Sequence, residues 1–131
     1  METGEAELRH LARHAVVDRI GVDVDRGMIV LGPHARKFHG LSVDSETTGI
    51  RQFLDCYHEA DRAGLLCLLE RLARDEQPIH YTARLAGSDG QFVHGFVEHA
   101  DEGDDGFGAW SGVVVMSRSG LVSPARLPKA C

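Results

Sequence analysis

Residues 79–99 read IHYTARLAGSDGQFVHGFVEH, which is the pattern of a β-hairpin. Apolar and polar side chains alternate from Ile79 to Leu85 and again from Gln91 to His99, as they do on strands with one buried face. Between the two runs, Gly87-Ser88-Asp89-Gly90 supplies the residue types that tight turns prefer. The stretch therefore predicts two antiparallel strands joined by a short turn.

The pairing across this hairpin predicts which side chains share a face of the sheet. With residues 88–89 as the tip, Ala83 pairs with His94 and Tyr81 pairs with Phe96. The core face is then expected to carry Ile79, Tyr81, Ala83, Leu85, Phe92, His94 and Phe96. The opposite face is expected to carry His80, Thr82, Arg84, Val93, Val97 and His99.

The rest of the chain predicts further strands and helices around this hairpin. Apolar residues at helical spacing predict helices over residues 5–19 and 59–74. In the second helix, the apolar stripe consists of Leu65, Leu68, Leu69 and Leu72. Between residues 33 and 55, short helices joined by loops fit the broken pattern better than one regular element. The predicted strands span residues 20–25, 28–31, 79–85, 91–99 and 107–116.

This order of elements predicts an α+β fold. We expect a five-stranded antiparallel sheet with the helices on one face, and an N-terminal flanking helix within residues 1–19. The folded domain is expected to span residues 20–118, and the segment 119–131, with its prolines and glycine, is expected to be an irregular tail.

Composition excludes several classes of protein. The chain has 131 residues, 43% of them hydrophobic and 26% charged, which suits one globular domain. No apolar run approaches the roughly 20 residues of a membrane span, and the acidic start of the chain lacks the features of a signal peptide, so we expect a cytoplasmic protein. The net charge is −6 and no basic cluster is present, so nucleic-acid binding is not expected.

The three cysteines, Cys56, Cys67 and Cys131, are scattered along the chain, and no CxxC motif occurs. This pattern favours reduced thiols over a disulfide framework or a structural zinc site.

Two segments of the sequence resemble the PAS family of sensory domains. The first is Phe38-His39-Gly40-Leu41-Ser42 followed by FLDCYHEADR at residues 53–62, which is similar to the segment that leads into the long PAS helix. The second is YTARLAGSDGQFVHG at residues 81–95, which resembles the Y-R-L and D-G hairpin of that family. With Gly-Val-Val-Val at residues 112–115, the resemblance covers roughly residues 20–116.

The sequence also departs from the PAS pattern. Glu59 stands where the family usually has proline. Met116-Ser117-Arg118 replaces the D-I-T that usually ends the last strand, and no amphipathic helix follows. We therefore expect no covalently attached output element on the C-terminal side of this chain.

The resemblance implies a ligand pocket between the sheet and the helices. The candidate pocket residues are His94, Tyr81, Phe96, Phe92 and Cys67, and the ligand is unknown. Haem is disfavoured because the long helix has no histidine, which leaves Cys67 as its only conceivable helical ligand. Flavin photochemistry of the light-oxygen-voltage type is also disfavoured, because residues 53–57 do not match its N-C-R-F-L-Q motif.

Simpler roles compete with each of these assignments. His94 fits equally a hydrogen-bonded core histidine, and Cys67 fits core packing between leucines. His80 and His99 on one face offer a weak alternative for a metal site. A small enzyme using His94 with an acid is a further alternative, but no carboxylate is predicted on that face and no catalytic motif occurs, so we expect no enzymatic activity.

Taken together, the sequence favours a PAS-like sensory domain of bacterial-style signal transduction. It is expected to bind a small molecule, a signalling protein partner or both, and the alternative is an adaptor or dimerisation module without a ligand. Val93 and Val97 are apolar on the predicted outer face and need cover. The N-terminal helix or its copy in a homodimer would supply that cover, so a homodimer is expected.

Overall fold

The computed structural model describes residues 15–87, 91–99 and 110–117. Within these ranges, the chain forms six strands and three helices. In chain order, the elements are β1 (Ala15–Asp23), β2 (Met28–Leu31), α1 (Pro33–Phe38), β3 (Thr47–Gly49), α2 (Ile50–Asp55), α3 (Glu59–Asp75), β4 (Ile79–Arg84), β5 (Phe92–His99) and β6 (Trp110–Ser117). No helix in these ranges is long and apolar enough to cross a membrane.

The six strands form one antiparallel sheet in the order β3-β2-β1-β6-β5-β4. Buried residues of the helices, such as Phe53 and Leu65, share one core cluster with alternate residues of the strands, so the helices cover one face of the sheet. The predicted α+β class is therefore confirmed. The sheet has six strands and not five, because Thr47–Gly49 pairs with β2. This short polar segment has no apolar alternation from which a strand could be predicted.

The predicted helix over residues 5–19 is wrong for its last five residues. Residues 15–19 belong to β1, which pairs with the whole length of β6 from Val22↔Trp110 to Ala15↔Ser117. The β-branched Val16 and Val17 favour this extended conformation, and the ladder with β6 outweighs the helical spacing of the apolar residues. Residues 5–14, the hairpin tip at 88–90, the segment 107–109 and the tail 119–131 lie outside the described residues, and the division into domain and flanking segments stays a prediction.

Helix α3 has the predicted leucine stripe in the core. All four leucines are buried, and the helix continues one residue beyond the predicted end at Arg74. His58 caps its start, since the imidazole Nδ1 accepts a hydrogen bond from the Ala60 N–H at 3.1 Å. At its other end Glu76 adopts the left-handed conformation with φ of 51°, which closes the helix.

An ion pair joins the first turn of α3 to the end of β4. The guanidinium of Arg84 donates two hydrogen bonds to the carboxylate of Asp61, each at 3.0 Å, and the Arg84 backbone N–H donates a third at 2.9 Å. Burial by itself would raise the pKa of Asp61, but these hydrogen bonds outweigh it and lower the pKa. The helix and the hairpin are therefore fixed to each other at the segments that resemble the PAS motifs.

The predicted register of the central hairpin is wrong by one residue. Tyr81 pairs with Gly95 and Ala83 pairs with Val93. The number of residues between the two members of each pair is therefore odd. A two-residue tip at 88–89 is incompatible with this register. Consequently, the core face of the hairpin carries Ile79, Tyr81, Ala83, Val93, Gly95 and Val97, while Phe92, His94 and Phe96 point to the outer face.

Tyr81 and Gly95 form a matched pair at the centre of this face. Tyr81 is 2% exposed, and a Cβ placed on Gly95 would lie 2.1 Å from Cε1 of the Tyr81 ring. The ring therefore occupies the space that any larger residue at position 95 would need.

We expect the substitution Gly95→Ala to destabilise the protein by about 1–3 kcal/mol, because the buried ring or the strand must move to admit the methyl group. Urea unfolding followed by circular dichroism measures this change. Gly49→Ala is the control, since a Cβ there meets nothing within 4 Å. An equal or smaller loss for Gly95→Ala would show that the Tyr81 ring can move aside freely.

Candidate interior network and outer face

The structure does not bring the five predicted pocket residues together. Tyr81 is buried on the core face, as predicted, whereas Phe92, His94 and Phe96 lie on the outer face. Cys67 lies on α3 and is disulfide-bonded, so the prediction of a reduced thiol is wrong for this residue. Cys56 is a free thiol. The prediction of a pocket that joins His94 to Tyr81 is therefore wrong.

Tyr81 instead ends a chain of hydrogen bonds through the interior. Its hydroxyl lies 3.0 Å from the hydroxyl of Tyr57, and that hydroxyl lies 2.6 Å from Nε2 of His39. Nδ1 of His39 lies 2.6 Å from the carbonyl oxygen of Ala35 in α1. We call His39, Tyr57 and Tyr81 the interior network; it connects the sheet, the segment between α2 and α3, and the end of α1.

The direction of every bond in the interior network follows from its end at Ala35. A carbonyl oxygen only accepts, so Nδ1 of His39 carries a proton and donates it. In a neutral imidazole Nε2 is then the acceptor, and the Tyr57 hydroxyl donates to it. Tyr81 consequently donates to the oxygen of Tyr57. All polar atoms of these three side chains are partnered, as buried polar groups must be.

Burial determines the protonation of the interior network. Burial lowers the pKa of His39 to about 4, and the hydrogen bond to the Ala35 carbonyl opposes this only in part. Burial also raises the pKa of Tyr57 and of Tyr81, in the case of Tyr57 with a further contribution from the neighbouring Tyr81 hydroxyl. At neutral pH all three side chains are therefore uncharged.

Aromatic contacts fill the space around the interior network. The Tyr57 ring meets the rings of Phe53 at 5.2 Å and Tyr81 at 6.0 Å, both edge to face. The His39 ring stacks on Phe53 with a centroid distance of 6.0 Å. These side chains occupy the region between helices and sheet in which the sequence resemblance implies a ligand pocket.

The outer face of the sheet carries exposed apolar side chains. Val17 on β1 is 59% exposed, Val113 on β6 is 42% exposed, and Phe96 on β5 is 48% exposed. We call these three residues the outer patch; Val113 and Phe96 are direct cross-strand partners. Val93 and Val97, which the sequence analysis assigned to this face, are buried in the core. The outer face is therefore apolar, but through different residues from those predicted.

Two histidines adjoin the outer patch. The ring of His80 stacks in parallel on Phe96 with a centroid distance of 4.5 Å, and both residues line a surface pocket of about 350 Å³ together with Glu98 and Val113. His94 is bonded through Nδ1 to the Thr82 hydroxyl at 2.9 Å, while its buried Nε2 has no hydrogen-bond partner. Burial, with a smaller contribution from His80, lowers the pKa of His94.

The structure separates the two histidines that offered a metal site. His80 points outward, whereas His99 lies on the side of the core-facing Val97 and packs edge to face on Trp110 at 4.9 Å. In the ranges that the structure describes, no group of three or more histidine, cysteine or acidic side chains could hold a metal ion. The geometry required for the metal alternative is therefore not present at this pair.

Sequence reasoning missed two members of the interior network. His39 lies in the Phe38–Ser42 segment and Tyr57 in the 53–62 segment, so both occur in the stretches that carry the family resemblance. The signal available was a ring with a polar atom close to large apolar residues, with His39 after Phe38 and Tyr57 after Phe53 and Leu54. The hydrogen bond between positions 18 residues apart could not be read from either segment alone.

Comparison with known proteins gives one structural likeness. No protein-family model and no curated protein matches the chain. Among solved structures, the chain is similar to one described as the crystal structure of a sensory box histidine kinase/response regulator from Burkholderia thailandensis E264. The identity is 15% and the TM-score 0.48, and the match covers 76% of this chain and 74% of that chain. Identical residues are too few at this level to transfer a function.

We expect Tyr57→Phe to destabilise the protein more than Tyr81→Phe. The first change leaves Nε2 of His39 buried without a donor and Tyr81 without an acceptor, at a cost of about 1–3 kcal/mol. The second removes only the terminal donor, at a cost of about 1 kcal/mol. Chemical denaturation of both variants measures the difference, and the reverse order would contradict the bond directions derived above.

The depressed pKa of His39 predicts a loss of stability in acid. The unfolded chain takes up a proton at this residue below about pH 6.5 while the folded protein resists it, so the contribution is fully present above pH 6.5 and is lost as the pH falls toward 4. The change amounts to about 3 kcal/mol at most.

Unfolding free energies of the wild type and His39→Gln at pH 7 and pH 4.5 test this prediction. Other groups, such as His94 and Asp61, titrate in both proteins and cancel in the comparison. We expect a smaller acid loss in the variant; the same loss in both proteins would mean that His39 protonates freely in the folded state.

Proposed function

We propose that this chain is a PAS-like sensory domain of signal transduction that acts by binding protein through the outer face of its sheet. The observation that carries the proposal is the exposure of Val17, Val113 and Phe96 on neighbouring strands. Monomeric proteins rarely leave contiguous apolar surface uncovered, and such surface is typical of interaction sites. The family resemblance of the two motif segments supports the sensory role.

The packed interior favours protein binding over ligand binding at the predicted pocket. Tyr57, Tyr81 and Phe53 are each at most 2% exposed, and the Tyr57 ring contacts both of the others. A ligand at this place would have to displace rings that already satisfy one another's hydrogen-bonding and packing needs. No catalytic role is proposed for His94, since its described hydrogen-bond partner is the neutral Thr82 hydroxyl.

The partner we propose for the outer patch is a second copy of this chain. In a two-fold dimer the outer patch of one subunit packs on the outer patch of the other. Each subunit then covers the exposed apolar side chains of its partner, and no second kind of surface is needed. Phe96, stacked on His80 beside a surface pocket, is suited as an aromatic anchor. The buried Nε2 of His94, which lacks a partner, offers a hydrogen-bonding position beside the patch.

We expect Val113→Asp to weaken self-association by about tenfold or more, because it places a carboxylate in the centre of the apolar contact. Sedimentation equilibrium over a range of protein concentrations measures the dissociation constant, and circular dichroism checks that the variant is folded.

Val43→Asp is the matched control, since Val43 is also an exposed valine but lies in the loop before β3. The same weakening in both variants would mean that added negative charge, and not the outer patch, governs association. A wild-type chain that stays monomeric up to its solubility limit would overturn the homodimer, and association unaffected by Val113→Asp would overturn the outer patch as its interface.

A further inference from the structure

The side chain of Arg36 is a buried charge. It extends from α1, and the residue is only 4% exposed although arginine is almost never fully buried without a partner. Its Nε–H donates to the carbonyl oxygen of Ser42, and Nη1 donates to the Thr48 hydroxyl at 2.8 Å. The guanidinium thus joins α1 to the loop at residues 42–46 and to β3, and both of its acceptors are neutral.

No carboxylate neutralises Arg36 in the described part of the chain. The ion pairs found there involve Arg26, Arg62, Arg74 and Arg84. The adjacent loop carries two carboxylates, Asp44 and Glu46, but both residues are exposed and neither forms an ion pair with the guanidinium.

The nearby thiol of Cys56 does not serve as the counter-ion either. Burial and the charge of Asp55 raise the pKa of Cys56, and the opposing effect of Arg36 is the smallest of the three. The thiol is bonded to the carbonyl oxygen of Gln52 at 3.4 Å, which requires the protonated form. At neutral pH the described residues therefore give this site one positive charge and no negative one.

An uncompensated guanidinium is costly in this position. Arginine stays protonated at every accessible pH, so it cannot relieve the cost by losing a proton, as lysine or histidine does. Three of its five N–H groups have no hydrogen-bond partner among the described residues. Among the described side chains, the nitrogen that is both fully buried and unpartnered is Nε2 of His94. Nη2 of Arg36 also has no partner, so it is not fully buried.

We propose that Arg36 anchors a binding site for a small organic carboxylate. Nη2 and the second N–H of Nη1 have no hydrogen-bond partner among the described residues, and guanidinium N–H groups on adjacent nitrogens match the two oxygens of a carboxylate. The bound anion neutralises the buried charge and takes up donors that have no other partner. The Thr48 hydroxyl and the Ser42 carbonyl hold the guanidinium in place, since they accept hydrogen bonds from one N–H of Nη1 and from Nε–H.

The charge of the site favours a carboxylate over a phosphate. One guanidinium balances one negative charge, whereas a phosphate carries nearly two and has additional oxygens that need donors. Arg36 forms bonds only to neutral oxygens of Ser42 and Thr48. The site lies on the helical side of the sheet, so it does not depend on protein binding at the outer patch.

Thermal unfolding and titration calorimetry of the full chain test the proposal. The probes are acetate and propionate, with acetamide and propionamide as neutral analogues of the same shape and sodium chloride at matched ionic strength. We expect saturable stabilisation by at least one carboxylate and none by its amide. Arg36→Met should weaken that binding by roughly tenfold or more. Arg71→Met, which removes an exposed charge from α3, should leave it unchanged.

If Arg36→Met does not fold, the guanidinium N–H signals of Arg36 in the nitrogen-15 spectrum of the wild type provide the test. These signals should shift with added carboxylate and not with its amide. Binding that is equal in Arg36→Met and the wild type, or stabilisation by the amide or by salt alone, would overturn the proposal. Arg36-dependent binding of inorganic phosphate ahead of both carboxylates would overturn the ligand class. If none of the probes binds, the role of Arg36 is limited to joining α1 to its neighbours, and the proposal is overturned as well.

Discussion

The contact between the Tyr81 ring and Gly95 is the constraint on which the rest of the structure depends. Because the ring fills the space of a side chain at position 95, these two residues must be partners, and this pairing sets the register of β4 and β5. The register directs Val93 and Val97 into the core and leaves Phe96 and His94 outside. It also places the Tyr81 hydroxyl within reach of Tyr57, from which the interior network runs to α1.

The two faces of the sheet are therefore suited to different tasks. On the helical face, hydrogen bonds among uncharged groups close the interior at Tyr57 and His39, and a buried guanidinium lies nearby on α1. On the outer face, no such network joins the apolar side chains to a covering element among the described residues. The proposed anion site and the proposed protein interface thus lie on opposite sides of one sheet, to which Thr48 joins α1 and Arg84 joins α3.

The elements that were predicted correctly are those in which one segment contains the whole signal. Helix α3 follows from a leucine stripe within 17 residues, and the strands that flank residues 24–27 follow from local alternation around Gly27, whose φ of 64° suits a turn. The candidate pocket failed because it assumed a two-residue tip at residues 88–89, and turn residue types do not specify how many positions a loop contains. Arg36 could not be recognised, because its burial results from a loop that folds back after α1.

The sequence by itself determined the type and order of most elements and the two motif segments that indicate a sensory domain. It did so because helical and strand periodicities are properties of the backbone within a few consecutive residues. Only the tertiary structure decided which residues face the core, which histidine joins the tyrosines and which charge is buried. Those features depend on partners 12 to 24 positions apart, as for Arg36 with Thr48 and Tyr57 with Tyr81, and no local pattern encodes such a distance.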